Sequence, residues 1–298
     1  MEEQKGLVSI ILNCFNGAKY LRDALDTVIK QNYNNWELVF WDNQSTDNSK
    51  IIFDSYKSEK FRYFYSKNHT TLYEARNQAI KESKGEFIAF IDSDDTWEAD
   101  KLERQIKLFE KKEVGLVYGN LWIYNKKLNK KKIFSKNTLL KGKIYNSIFS
   151  DYKIGIIATT LRKKILIENK IVFEKKYNHI GDFDLFVKLS KICEFDAVQD
   201  PVATYRIHGE NLSLKNSKNE ISEMKFWYQK NRFNLSKDQE NHFLTKIANK
   251  EFYYLKFNRD FFETFKFFLK ERNLKQNIKN YILLFSPVFI LKKFIWYQ

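Results

Sequence analysis

Leu7 to Leu12 is a short, mostly apolar β-rich run, and from Ala18 to Gln31 the residues Tyr20, Leu21, Leu25, Val28 and Ile29 recur at helical spacing. The pattern predicts strand, turn, helix. It repeats with a strand over Trp36 to Trp41 and a helix over about Thr46 to Lys57. It repeats again with a strand over Arg62 to Tyr65 and a helix over about Leu72 to Ser83. Gly85 closes that third helix, and Glu86 to Ile91 reads as the fourth strand. Strands alternating with helices predict an α/β domain with a mainly parallel sheet covered on both faces. Ligands of such sheets lie outside the carboxyl ends of the strands. Asp42 and the acidic stretch Asp92 to Asp95 both fall at such ends.

Beyond Val114 to Tyr124 the alternation loosens. Lys126 to Lys132 reads as a solvated hairpin tip or loop, Gly155 to Arg162 as a strand, Phe183 to Ile192 as a helix and Pro201 to Ile207 as an extended run. A helix over Glu98 to Lys111 follows the acidic stretch. From about Asn216 helical spacing dominates, with dense aromatics in Phe226 to Tyr228, Phe252 to Tyr254 and Phe261 to Phe268. The change of pattern divides the chain into an α/β region, 1–213, and an α-helical appendage, 214–298.

A chain of 298 residues is long enough to bury a sizeable core. Cys14 and Cys193 stand far apart and match no metal or redox spacing, so they read as core thiols in a reducing setting. The first residues, Met1 to Lys5, lack the basic flank and apolar stretch of a signal peptide, which points to a cytoplasmic catalytic part. Formal charge is +15, and from Asn211 to Gln298 there are 17 Lys and Arg against 8 Asp and Glu, a local excess of +9. Such a balance suits nucleic acid, an anionic membrane surface or an anionic substrate. No RNP box, zinc finger or basic zipper is present, which argues against nucleic acid.

The acidic stretch is the strongest chemical signal. Three carboxylates within four residues, Asp92, Asp94 and Asp95, repel one another unless a cation sits among them. Oxygen ligands in an Asp-x-Asp spacing suit Mg²⁺ or Mn²⁺, ions that keep coordination positions for substrate phosphates. The alternative is that Asp94 or Asp95 merely caps the following helix. Asp42 could accept a nucleobase N–H, or Asp42 to Ser45 could be a turn with Asp47 as a cap. Arg76 could fork onto a base or diphosphate, or pair with Glu74 or Glu82 on the surface.

Taken in order, the motifs Val8 to Leu12 with Asn16, Trp41 to Asp47, Ala75 to Asn77, Asp92 to Trp97, Gly181-Asp182 and Tyr205 to His208 resemble the family 2 glycosyltransferases of the GT-A type. The resemblance covers roughly Leu7 to Ser213. It implies a GT-A fold with a nucleotide-binding half over about 1–97 and an acceptor half over about 98–213. It implies an inverting enzyme that moves a sugar from a nucleotide-sugar donor, a UDP-sugar in the first instance, to a glycan hydroxyl. The expected setting is bacterial surface polysaccharide assembly on a lipid carrier. Asn16, Asp42, Arg76, Asp92 and Asp94 are then donor-binding residues. Asp95 is the direct ligand of Mn²⁺ or Mg²⁺, Asp94 contacts the ribose or the metal shell, and His208 reaches the metal or diphosphate. Asp182 is the general base, with Asp184 as competitor and helix capping as its alternative role, and Trp97 is an acceptor-side candidate or a core residue. The chain departs from the family at Asn43, where a second Asp is common, at Gln44, where Gly is usual, at Asn68 to Leu72, where a Gly-containing loop is usual, and at Gly181, where an acid often stands.

Two rivals make different demands. A nucleotidyltransferase or diphosphate hydrolase calls for a Gly-rich phosphate loop, and Asn13 to Gly17 is a poor one. An inactive glycan-binding module predicts a lost carboxylate, and none is missing. The apolar run Tyr281 to Leu291 is too short to span a bilayer, yet Lys292, Lys293 and Trp296 follow it. It reads either as a helix lying in an anionic membrane interface or as one packed on the protein or on a homodimer partner.

Overall fold

The computed structural model describes residues 4–211, 217–258, 261–271, 278–286 and 288. At its centre β1 (Gln4–Cys14) runs parallel to β2 (Trp36–Asp42) on one side and β4 (Gly85–Asp92) on the other, with β3 (Phe61–Tyr65) outside β2. Val8, Ile10, Ile11 and Leu12 are all at most 1% exposed. Burial on both faces is what a parallel sheet covered by helices requires. The register sets Cys14 opposite Asp42 and Asn13 opposite Asp92, so both acidic ends finish level at one edge.

Nine strands form the sheet among the described residues, in the order β3-β2-β1-β4-β8-β6-β9-β5 with β7 on β6. The half carrying β1 to β4 is parallel, as expected. The other half is mixed: β8 (Thr159–Arg162) pairs antiparallel with β4 and with β6 (Val114–Asn125), and β9 (Glu194–Ile207) runs parallel to β6. The lysine-rich segment forms the turn and second strand of a hairpin, β6 with β7 (Lys130–Ile133).

Several boundaries differ from expectation for local reasons. α1 (Ala18–Ile29) buries Tyr20, Leu21, Ala24, Leu25 and Val28, but leaves Ile29 exposed in its last turn. α2 is confined to Ser49–Asp54, because the Asp47 carboxylate accepts the Ser49 N–H at 2.9 Å and so fixes the start. The helix expected from Glu98 begins at Lys101 (α4, Lys101–Leu108), since the preceding β5 (Thr96–Trp97) is drawn into the sheet against β9. Ile156–Ala158 is a 3-10 turn rather than strand. The run Pro201 to Ile207 is the second half of one long strand: the β6–β9 register slips between Gly119 and Asn120, at Pro201, a residue with no N–H for the ladder. α3 (Leu72–Glu82), α5 (Lys163–Glu168) and α6 (Gly181–Ser190) complete this part.

The chain divides into two compact units, Met1–His208 and Gly209–Gln298. The second contains α7 (Ser217–Asn231), α8 (Lys237–Asn258), α9 (Phe261–Lys270) and α10 (Ile278–Phe285). Phe252, Phe268, Leu283 and Leu284 form its buried cluster, while Phe262, Ile282 and Phe285 are more than 60% exposed. Leu283 and Leu284, from the ambiguous apolar run, are thus packing residues of this unit. Ser213, Pro287 and the segment from Phe289 to Trp296 lie outside the described residues.

Candidate active site

The turn after β2 is built on Asp42. This carboxylate is 1% exposed, and Oδ1 accepts the Ser45 N–H at 2.7 Å while Oδ2 accepts the Tyr63 hydroxyl at 2.7 Å. Burial first, and then the Asp42 charge, pushes the Tyr63 phenol up, so it stays a donor. Asn16 ties the β1–α1 turn to this one: its Oδ1 accepts the Thr46 N–H at 2.8 Å and its N–H donates to Ser45 Oγ at 3.0 Å. Asp47 accepts the Ala18 N–H at 2.9 Å and so serves both α1 and α2. These bonds form the turn that the sequence suggests for Asp42 to Ser45.

The family departures next to Asp42 have a shared cause. Asn43 donates Nδ2 to the Thr70 carbonyl at 2.9 Å and accepts the Thr70 N–H and hydroxyl on Oδ1. A carboxylate could accept there but not donate. His69 Nδ1 lies 2.9 Å from the Asn43 carbonyl, and its ring packs on exposed Phe15 at 4.3 Å. Gln44 has φ +72°, the left-handed region that favours glycine. Its amide donates to the carbonyls of Ser66 and Lys67, which offsets part of that cost.

At the end of β4 the three carboxylates point to different partners. Asp92 pairs with Arg76 at 2.5 Å, where the guanidinium is 2% exposed. Asp94 Oδ2 lies 2.8 Å from His208 Nε2. Asp95 is fully buried; its Oδ1 accepts the Arg206 N–H at 2.8 Å and its Oδ2 has no hydrogen-bond partner. Burial, with like charge from Asp94 and Asp92, holds the Asp95 carboxyl well above the ordinary carboxylate range. Asn13, beside Asp92 in register, buries an amide whose nitrogen and oxygen also lack partners. The end of β9 thus closes on this site through the Arg206 backbone and the His208 ring. Neither Asp94 nor Asp95 caps α4, whose N-cap is Asp100.

α3 connects this edge to the other candidate. Thr71 accepts the Glu74 N–H and fixes the start of the helix. Three residues apart, Tyr73 and Arg76 share a face. The Arg76 guanidinium lies 5.3 Å from the Tyr73 ring centroid, and the Tyr73 hydroxyl lies 3.2 Å from Asp182 Oδ1. Asp182 follows Gly181 in the first turn of α6, whose N-cap is Ile180, so it is not the cap. Its competitor Asp184 is buried and paired with Lys188 at 2.5 Å. Arg76 pairs with neither Glu74 nor Glu82 in the salt bridges of this structure; its partner is Asp92.

Trp97 is placed in the core. It is 4% exposed, its indole N–H donates to the Ile157 carbonyl at 2.8 Å, and buried Lys101 Nζ lies 4.0 Å from its ring centroid. Tyr73 and Tyr63 were not singled out from sequence. The signal for Tyr73 was its helical spacing from Arg76; for Tyr63 there was none, because strand register is not written in a five-residue run.

Whether these residues suit a divalent cation turns on the buried Asp95 oxygen. A carboxylate held in a dry site beside two others, with one oxygen lacking any donor, is the arrangement a cation relieves. Among the described residues no three His, Cys, Asp or Glu side chains converge as a complete ligand set.

A sheet whose β1 to β4 half is parallel and carries acids at its carboxyl edge is the layout of a GT-A fold. Residues 9–170, more than half of the chain, match the model of Glycosyl transferase family 2, and the chain belongs to that family. It is 31% identical over 192 residues to the UDP-Glc:alpha-D-GlcNAc-diphosphoundecaprenol beta-1,3-glucosyltransferase WfgD of Escherichia coli, covering 64% of this chain and 73% of that protein. It is 35% identical over 109 residues to the putative teichuronic acid biosynthesis glycosyltransferase TuaG of Bacillus subtilis, covering 36% of this chain and 43% of that protein. In fold it is similar to S. aureus TarS 1-349 in complex with UDP-GlcNAc, with a TM-score of 0.66 at 16% identity over 85% of this chain and 76% of that one. The mannosyltransferase PcManGT from Pyrobaculum calidifontis, in complex with GDP-Man and Mn2+, gives a TM-score of 0.61 at 14% identity over 96% and 80%.

Proposed function

We propose that this glycosyltransferase is metal-dependent and inverting, and that it transfers a sugar from a UDP-sugar to a hydroxyl of a lipid-linked glycan in bacterial surface polysaccharide assembly. One observation carries the reading: Tyr73 and Arg76 on one face of α3 link Asp92 of the acidic edge to Asp182 on α6. Two carboxylates ninety positions apart are thereby fixed on either side of one helix turn.

Asp94, Asp95 and His208 would hold Mn²⁺ or Mg²⁺, and the ion when bound would supply a Lewis acid for the charge that develops on the leaving diphosphate. Arg76 holds Asp92 in place at the donor. Asp42 keeps acceptor capacity for a base N–H, since each of its oxygens has a second lone pair. Asn16 holds the two turns that frame the nucleotide. Asp182 takes the proton of the acceptor hydroxyl as that oxygen attacks, a role worth roughly 10²–10⁴-fold in rate. Trp97 supports the acceptor half from within the core.

The UDP preference is supported by WfgD and by the TarS complex, and the lipid-linked acceptor by the WfgD name. No helix among the described residues is long and apolar enough to cross a membrane. Exposed Phe262, Ile282 and Phe285 in a unit with an excess of positive charge favour peripheral binding at the inner face of the cytoplasmic membrane. The test is a thermal-shift panel of UDP-glucose, UDP-GlcNAc and GDP-mannose with Mn²⁺ or EDTA, followed by NMR of the transfer product. A UDP-sugar should raise the melting temperature only with metal, and the product should have inverted anomeric configuration. Donor binding that is indifferent to EDTA, or a retained configuration, contradicts the reading.

A further inference from the structure

Gly181 opens α6 one residue before Asp182, and the space beside it belongs to Tyr73. A Cβ at 181 would lie 2.5 Å from Tyr73 Cδ2 and 2.6 Å from Cε2 and Cγ. Only glycine admits a ring that close. Tyr73 is itself firmly held. It is 3% exposed, stacks on Phe173 at 5.2 Å and carries the Arg76 guanidinium 5.3 Å from its centroid. Its hydroxyl lies 3.2 Å from Asp182 Oδ1 and 3.3 Å from the His179 carbonyl. The hydroxyl has one proton to give, and a charged carboxylate is the stronger acceptor. The same Oδ1 accepts the Phe183 N–H at 2.8 Å. Burial, and then the charge of Asp182, hold the Tyr73 phenol well above its ordinary value, so it remains a donor through the neutral range.

We infer that Tyr73 is a positioning residue for the reaction: its hydroxyl anchors Asp182 Oδ1 and its ring fixes glycine at 181. This rests on Asp182 being the base. With Oδ1 held by a side-chain and a backbone donor, rotation of the carboxylate about its last bond is restricted, and its orientation toward the acceptor hydroxyl is set before substrate arrives. Orientation of this kind matters steeply, since a misplacement of about 1 Å can cost about 10²-fold. Tyr73 thus acts on the reaction through Asp182.

Tyr73→Phe tests this, because it keeps the ring, the Phe173 stack and the Gly181 contact and removes only the hydroxyl. The expected result is a kcat lower by about 10-fold to 10²-fold, with KM for donor and acceptor within about 2-fold of wild type. In an Asp182→Asn background the same substitution should change turnover no further, because residues acting as one unit are not additive. A wild-type kcat in Tyr73→Phe, a loss that multiplies with that of Asp182→Asn, or failure of Tyr73→Phe to fold each overturns the positioning role. If Asp182→Asn alone turns over like wild type, the base assignment has failed, and the inference falls with it. If Asp182→Asn is inactive while Tyr73→Phe is not impaired, only the inference falls.

Discussion

The carboxyl ends of β2 and β4 flank β1 at the same level and carry the same residue type, yet they are built in opposite ways. Around Asp42 both carboxylate oxygens have donors within the protein, and Asn16, Asn43, Gln44 and Asp47 are all bonded to neighbouring backbone. Around Asp92 to Asp95 the carboxylates are held apart, one buried oxygen has no donor, and the Asn13 amide beside them lacks partners. One end is a finished scaffold. The other carries an electrostatic cost at Asp95, which a bound cation relieves if the proposed function holds. Equal acid content at two strand ends thus goes with different chemistry, because only one end leaves buried polar atoms without partners.

Substitutions at the two ends should separate accordingly. The largest effect is expected from Asp94→Ala, which should abolish the Mn²⁺-dependent rise in melting temperature with UDP and lower transfer by more than about 10²-fold, read in a radiolabelled-sugar assay, with the fold retained. Equal responses to UDP with and without Mn²⁺ in wild type would erase the distinction between the two ends. Next in size, Asn43→Asp removes the donor to Thr70 and sets a charge against its carbonyl. It should cost about 1–3 kcal/mol in urea unfolding while leaving the metal response intact. A neutral Asn43→Asp would mean that the loop from Ser66 to Thr71 is not held from β2. The smallest effect is expected from Gln44→Gly, where relief of the left-handed backbone and loss of the amide contacts oppose each other. Stability should change by less than about 1 kcal/mol, with turnover unchanged.

Much of this layout is legible in the chain. The alternating runs from Leu7 to Ile91 specify the parallel half of the sheet, because β-rich apolar runs alternate there with helical spacing. The ordered motifs specify the family. What periodicity does not contain is pairing at a distance. Thr96 and Trp97 join the sheet because β9 offers an edge, and of β9 itself only the part from Pro201 reads as extended in the sequence, although the strand starts at Glu194. The same limit applies to the site. Asp92, Asp94 and Asp95 are close in sequence, but which one faces Arg76, His208 or the interior depends on α3 and on the end of β9, which bring in Arg76 and residues 206–208. Asp95, the expected direct ligand, lies deepest, and Asp94 is the one opposite His208. Gln44 was visible as a departure, while its compensation by Ser66 and Lys67 was not.

The most direct test of the central claim compares wild type with Asp95→Asn by thermal unfolding across pH, in EDTA and in Mn²⁺ with UDP. A carboxyl raised in the folded state destabilises progressively as pH rises from the unfolded value, about 3.9, toward the folded one. In EDTA the wild type should therefore lose stability relative to Asp95→Asn as pH rises through that window and melt lower than the variant at pH 7.5. Mn²⁺ with UDP should reverse the order by stabilising wild type alone. If Asp95→Asn instead melts lower in EDTA at pH 7.5 and both proteins respond equally to Mn²⁺ with UDP, the buried oxygen is not what the cation relieves and the account of the β4 end is wrong.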